Sequence, residues 1–289
     1  VLQKIRFVQY YLNHVVVICD NIKELDSEHS KLLMELEFNE SQIITFGKTL
    51  LASMLPSVDA FLEHHPEFID IGKAAIACAL IPCEIPEKLE RSSTTKLSWY
   101  EYLYQQLNAT KDYFNKNLIS IITFNYDRSL EQFLFIALKN TYGISNEECA
   151  KMLLKIPIVH VHGQLGGFSY RPDDDGRIYE PGINVDILKK CMSEIKIIHE
   201  DIDDDPEFAK AHELLANAKR VCFLGFGYNS VNIERLKVLE INNLELHGSI
   251  FKIQDAEKEQ IKKRMLDRII LGNQFHECLQ FLRNSFAFK

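Results

Sequence analysis

Three short β-rich runs, each followed by helix-like sequence, constrain this chain most: Leu118 to Phe124, Ile156 to Val161 and Val221 to Phe226. Near-continuous apolar strands separated by helices belong in a parallel sheet, because crossover helices cover both of its faces. A fourth run, Ser249 to Ile253, is weaker and extends the series. The expected fold class is α/β: a Rossmann-like parallel sheet flanked by helices, with a helical insertion near the N-terminus.

The residues before 118 have a different texture. Leu32, Leu33, Leu36 and Phe38 suggest an amphipathic stripe, and Phe61, Leu62, Phe68, Ile69 and Ile71 follow a helix cap at Ser57 or Asp59. Ile71 to Ile81 reads as an Ala-rich helix stopped by Pro82 and Pro86, and Trp99 to Leu107 as another helix. Val15 to Ile18 is a β-branched run too short for periodicity to assign. The expectation is one domain over 1–289, with a largely helical subdomain at about 20–117 and the α/β core mainly at 118–289.

Composition narrows the function classes. A formal net charge of -8 disfavours binding nucleic acid through the overall field. The cluster Lys262, Lys263, Arg264 and Arg268 reads as a solvated helix face, and the acidic stretch from Glu200 to Asp205 as a loop. Seven cysteines are irregularly spaced without a Cys-x-x-Cys, which fits buried thiols in a reducing compartment better than a zinc site. The longest apolar run, Ala74 to Cys83, is far short of the roughly 20 residues of a membrane span. A cytoplasmic protein without membrane association is expected.

In an open parallel sheet, ligands bind outside the carboxyl ends of the strands. That rule selects Thr123-Phe124-Asn125-Tyr126-Asp127, then His160-Val161-His162-Gly163, then Gly225-Phe226-Gly227-Tyr228. Each has an ordinary structural role available. Asn125 or Asp127 can cap a helix from Arg128 to Leu138, His162 can be a hydrogen-bonded buried histidine, and Gly-x-Gly can be a tight turn. Their occurrence in this order on one sheet is the stronger signal. Pro172 to Gly176 reads as a turn after the second strand and a candidate lid.

This ordered set resembles the sirtuin-like family of NAD-consuming proteins. The Thr-x-Asn-x-Asp strand end matches Thr123, Asn125 and Asp127, the His-Gly pair matches His162 and Gly163, and the later glycine-rich end matches Gly225 and Gly227. The Gly-Phe-Gly-Tyr…Asn pattern and Ser57 to Glu63 look more like bacterial sirtuin-like defence proteins than protein deacetylases. The deacetylases carry a four-cysteine zinc module, so no zinc is expected here. The family also opens with a Gly-Ala-Gly loop around the NAD pyrophosphate. No glycine precedes Gly47, so that loop is expected upstream of Val1, or the chain is a degenerate member.

The resemblance implies NAD as substrate and cleavage of its nicotinamide–ribose bond, depleting NAD in antiviral defence. It assigns catalysis to Asn125 and His162, and NAD contacts to Thr123, Phe124, Tyr126, Asp127, Gly163, Gly225, Phe226, Gly227, Tyr228 and Asn232. An amide such as Asn125 both donates and accepts, which suits holding water or ribose hydroxyls. A histidine such as His162 titrates near operating pH and suits general base work. Asp127 opens a helix and has a structural role available there, and Asn232 can cap a helix beginning at Ile233. His160 lies two residues from His162, on the same strand face, and is its rival. Such effectors work as homo-oligomers or beside a partner defence protein, a sensor or ATPase, and the aromatic stretch Trp99, Tyr100, Tyr102, Tyr104 is a candidate contact surface. The alternative function is a non-catalytic sensor or scaffold that binds ADP-ribose or a related ligand.

Overall fold

A computed structural model describes residues 28–55, 57–90, 97–107, 111–169, 176–197 and 205–285. The β-branched run Val15 to Ile18 lies outside them, as do Glu200 to Asp204 and Pro172 to Asp175. The chain separates into two compact units. One holds the described residues of 28–90 and 123–197, and the other those of 97–122 and 205–285, with the division falling inside the first strand.

The first unit begins with four helices: α1 (Glu28–Glu35), α2 (Glu40–Ala52), α3 (Val58–His64) and α4 (Ile69–Leu80). Side-chain caps start two of them. Asn39 and Gln42 form a reciprocal capping box on α2, and Ser57 accepts from the Ala60 N–H on α3. The cap is therefore Ser57; Asp59 turns inward instead. Helix α4 is buried over Ile71 to Leu80 apart from Lys73, which its Ala-rich composition permits by letting neighbours approach closely. A Cβ on Gly72 would sit 2.5 Å from a Leu62 methyl. Phe46, Phe61 and Phe68 pack around one another with ring centroids 5.7–5.9 Å apart, filling the space between α2, α3 and α4.

Strands β1 (Ile121–Thr123) and β2 (Ile158–His160) form a two-stranded sheet. The Val161 N–H donates to the Thr123 carbonyl and the Leu165 N–H to the Tyr126 carbonyl, so both chains run the same way. Between them lie α5 (Ser129–Tyr142), stopped by left-handed Gly143, and α6 (Asn146–Leu153), started by a Ser145–Glu148 capping box. Helix α7 (Val185–Glu194) packs against α4.

The second unit holds a three-stranded parallel sheet in the order β3 (Arg220–Phe223), β4 (Glu245–Gly248), β5 (Ile269–Leu271). Helices α8 (Pro206–Ala216), α9 (Ser230–Leu236), α10 (Asp255–Arg264) and α11 (Cys278–Asn284) alternate with these strands, and the helix Trp99–Gln106 packs against α11. The aromatic residues of Trp99–Gln106 are half-buried.

The α/β class and the parallel pairing agree with the sequence reading. The described strands form a two- and a three-stranded sheet, not one long layer. The fourth strand was expected at Ser249 to Ile253 and lies instead at Glu245–Gly248. Its register is set by β3, where Val221 pairs with Leu246 and Phe223 with Gly248. After Ser249 the chain turns, with the Ile253 N–H donating to the Ile250 carbonyl. Arg268 lies past the end of α10 and donates to the Leu239 and Ile241 carbonyls, so it ties a loop and is not part of a solvated helix face. No helix among the described residues is long and apolar enough to cross a membrane.

Candidate functional site

The site forms where β1 and β2 end, within the first unit. Thr123 closes β1, and its hydroxyl accepts the Asn125 N–H at 3.1 Å, bending the chain out of the strand. The strand end then alternates. Phe124 meets the His162 ring edge-on at 5.1 Å, while the Asn125 carbonyl accepts from His160 Nδ1 at 2.8 Å. The strand end carrying Asn125 is thus held directly against the strand end carrying His160 and His162. His160 and His162 are 6% and 5% exposed.

Tyr126 is buried and points the other way. Its hydroxyl bonds the Asp59 carboxyl of α3 and lies 3.3 Å from the Lys196 carbonyl. Burial pushes the Asp59 carboxyl above the usual carboxylate value, with the Tyr126 hydrogen bond opposing. Asp127 accepts the Ser129 N–H at 3.2 Å and also bonds the Ser129 hydroxyl, forming an Asx turn just ahead of α5, whose first-turn boundary residue is Arg128. Asn125 does not cap that helix: its side chain is half-buried and its backbone is engaged by Thr123 and His160.

Gly163 has a specific steric reason. Its φ is +76°, and a Cβ there would lie 1.7 Å from the Glu194 carbonyl oxygen at the end of α7. The Lys196 N–H donates to the His162 carbonyl at 2.9 Å, so the segment after α7 seals against the His-Gly pair.

Sequence reasoning missed two buried ionic groups beside these strand ends. In the first, Arg128 is fully buried and forks onto Glu84, with Nε–Oε1 at 3.1 Å and Nη2–Oε2 at 2.7 Å. Its Nη1 donates to the Gly167 and Arg177 carbonyls at 2.8 and 2.9 Å. The Phe168 and Tyr179 rings flank its guanidinium at 5.0 and 5.7 Å. Arg177 bonds the same Glu84 and also the Leu165 carbonyl. These bonds tie both described ends of the segment after β2 to the start of α5. In the second group, His160 Nε2 lies 2.6 Å from Glu131 Oε1 on α5. Burial opposes charge on His160, but the Glu131 carboxylate, the Asn125 carbonyl and Asp127 outweigh it and raise its pKa above the ordinary histidine value. Nothing in the local sequence marked this pair: Asp127 lies before α5, outside its helical spacing, and Glu131 reads as an ordinary first-turn acid.

The remaining predicted residues lie in the second unit, after β3. Gly225 has φ +58°, and its N–H donates to the Ser249 hydroxyl at 2.9 Å. Phe226 is buried; Gly227 is exposed, with open space where a Cβ would go. Tyr228 belongs to the core. It is fully buried at φ +50°, its hydroxyl donates to the Ser249 carbonyl at 3.1 Å, and burial pushes the phenol pKa far up. Asn232 sits inside α9, whose cap is Asn229 accepting from the Val231 N–H at 3.0 Å, so the expected Asn232 cap is corrected. The Asn232 side-chain oxygen is enclosed and has no hydrogen-bond partner among the described residues. A cavity of about 620 Å³ opens at the carboxyl ends of β4 and β5, with Ile250, Ile270, Phe275 and Phe281 among its walls.

Among the described residues no cluster of three His, Cys, Asp or Glu side chains is placed to hold a metal ion. Burial pushes the Cys149, Cys191 and Cys222 thiols up to about 11, which keeps them protonated at neutral pH. Compared with protein-family models, curated proteins and solved structures, the chain matches none.

Proposed function

We propose that this protein is a sirtuin-like NAD glycohydrolase that cleaves the nicotinamide–ribose bond without zinc, on a Rossmann-like layer. The observation that carries the reading is the adjacency of two strand ends: Asn125 follows β1, His162 follows β2, and hydrogen bonds from Val161, His160 and Leu165 hold the two segments side by side. Bond cleavage passes through an oxocarbenium-like ribose, which polar groups at its open face stabilise. The Asn125 amide orients the attacking water or the ribose hydroxyls, and His162 accepts the proton that the water releases. Thr123, Phe124 and Gly163 shape that face. Tyr126 and Asp127 brace the Asn125 segment from behind, and in the second unit Gly225, Phe226 and Gly227 form a strand end whose glycines suit close backbone approach to a nucleotide, with Tyr228 and Asn232 beside it. The biological role that follows is NAD depletion in antiviral defence, in the cytoplasm, with activation by self-assembly or a partner sensor or ATPase.

The test is to incubate the full chain with NAD, with and without added assembly conditions, and measure released nicotinamide. Asn125→Ala and His162→Ala are each expected to lower turnover by about 10² or more while the circular dichroism spectrum is unchanged. Full turnover in His162→Ala would remove the assignment. The 5% exposure of His162 favours a second reading, a module that binds ADP-ribose without cleaving NAD. Calorimetric binding of ADP-ribose with no nicotinamide release under any assembly condition selects it.

A further inference from the structure

His160 is wedged between two acceptors. A backbone carbonyl carries no hydrogen, so the 2.8 Å contact with Asn125 requires a proton on Nδ1. The 2.6 Å contact with Glu131 requires a second proton, on Nε2 or on the carboxyl. The ring is 6% exposed and the Glu131 side chain 2%, so water does not substitute for either partner. Three elements meet at this ring: the turn after β1, strand β2 and helix α5.

We infer that His160 and Glu131 form a tautomer lock for Asn125, in which the proton shared with Glu131 forces the other ring nitrogen to donate to the Asn125 carbonyl. When the shared proton is lost, one ring proton must choose between a carboxylate and a carbonyl. The carboxylate is the stronger acceptor, so the proton goes to Nε2. The Nδ1 lone pair then faces the Asn125 carbonyl, and the hydrogen bond between them becomes a repulsion between two acceptors. The charged groups acting on the ring are Glu131 on α5 and Asp127 on the turn before it, and both favour the doubly protonated ring. His160 is therefore a positioning residue acting through the Asn125 backbone, and its consequence for turnover rests on the NAD glycohydrolase reading.

Glu131→Gln separates this lock from simple packing. A neutral glutamine amide donates to Nε2, which holds the proton on Nδ1 at every pH, whereas leucine removes the partner. The experiment uses the full chain with isotope-labelled histidine, the His160 ring assigned through His160→Gln, and nitrogen NMR from pH 6 to pH 9. The wild-type ring is expected to carry protons on both nitrogens at pH 7, and the Glu131→Gln ring on Nδ1 alone. In NAD turnover, wild-type kcat is expected to fall about tenfold or more as the second ring proton is lost, with KM little changed. Glu131→Gln keeps turnover and is flat over that range, while Glu131→Leu is low throughout. A wild-type ring protonated on Nε2 alone at pH 7, or Glu131→Gln and wild-type profiles that coincide, overturns the lock. If the wild type releases no nicotinamide, the function reading fails and the ring spectrum alone decides the lock.

Discussion

Gly163 and Gly227 both came from glycine-containing strand ends, yet they do different physical work. Gly163 combines a φ of +76° with a 1.7 Å approach to the Glu194 carbonyl, so Gly163→Ala should cost about 3 kcal/mol or more and lower the thermal midpoint sharply. Gly227 is exposed with open space where a Cβ would go, so Gly227→Ala should shift stability by only about 0.5 kcal/mol. If its backbone faces the adenosine half of NAD, the same variant raises KM, which steady-state kinetics would read. Arg128 makes the opposite point about charge. It is fully buried, and its guanidinium holds one glutamate and three carbonyls, those of Gly167, Arg177 and Ile178, at once, so Arg128→Lys cannot replace it. Arg128→Met leaves Glu84 with Arg177 alone and should cost about 3–5 kcal/mol in urea unfolding. Nothing in the run Asp127-Arg128-Ser129 announces a buried guanidinium, because an arginine at a helix start is ordinarily solvated.

The helices were largely legible because their signals are local. Alanine-rich spacing and the following prolines marked α4, and Ser57 marked the start of α3 through one side-chain bond to the Ala60 N–H. Ser57→Ala should therefore cost about 1 kcal/mol, measurable as a shift in the urea midpoint. Strands were less legible at their ends. β4 was displaced by several residues because Glu245 and His247 look polar, while pairing to β3 and β5 buries His247. β5 was missed, being three residues long and preceded by the charged run Lys262 to Arg268. Gly248 completes this element: a Cβ there would strike the Tyr228 hydroxyl at 2.0 Å, so Gly248→Ala should destabilise by about 1–3 kcal/mol.

Across the whole molecule, buried titrating groups give stability a direction with pH. His160 has a folded pKa raised above its ordinary 6.5, so its contribution is fully present below about 6.5 and is lost as pH rises through the folded value. Asp59, raised above 3.8 by burial, acts in the same sense at more acid pH. Unfolding free energy should therefore decline from pH 6 towards pH 8 in the wild type, and chemical unfolding of His160→Gln should show a flatter slope there. Local patterning was enough to establish the α/β class, the helical start, the parallel strands and the two strand ends that carry Asn125 and His162, because hydrophobic period and strand-end polarity are properties of neighbouring residues. It could not establish that His160 bridges Asn125 and Glu131, that Glu84 collects Arg128 and Arg177, or that Tyr228 is core. Those contacts join residues 21 to 93 positions apart, and their strength depends on the water that folding removes around them.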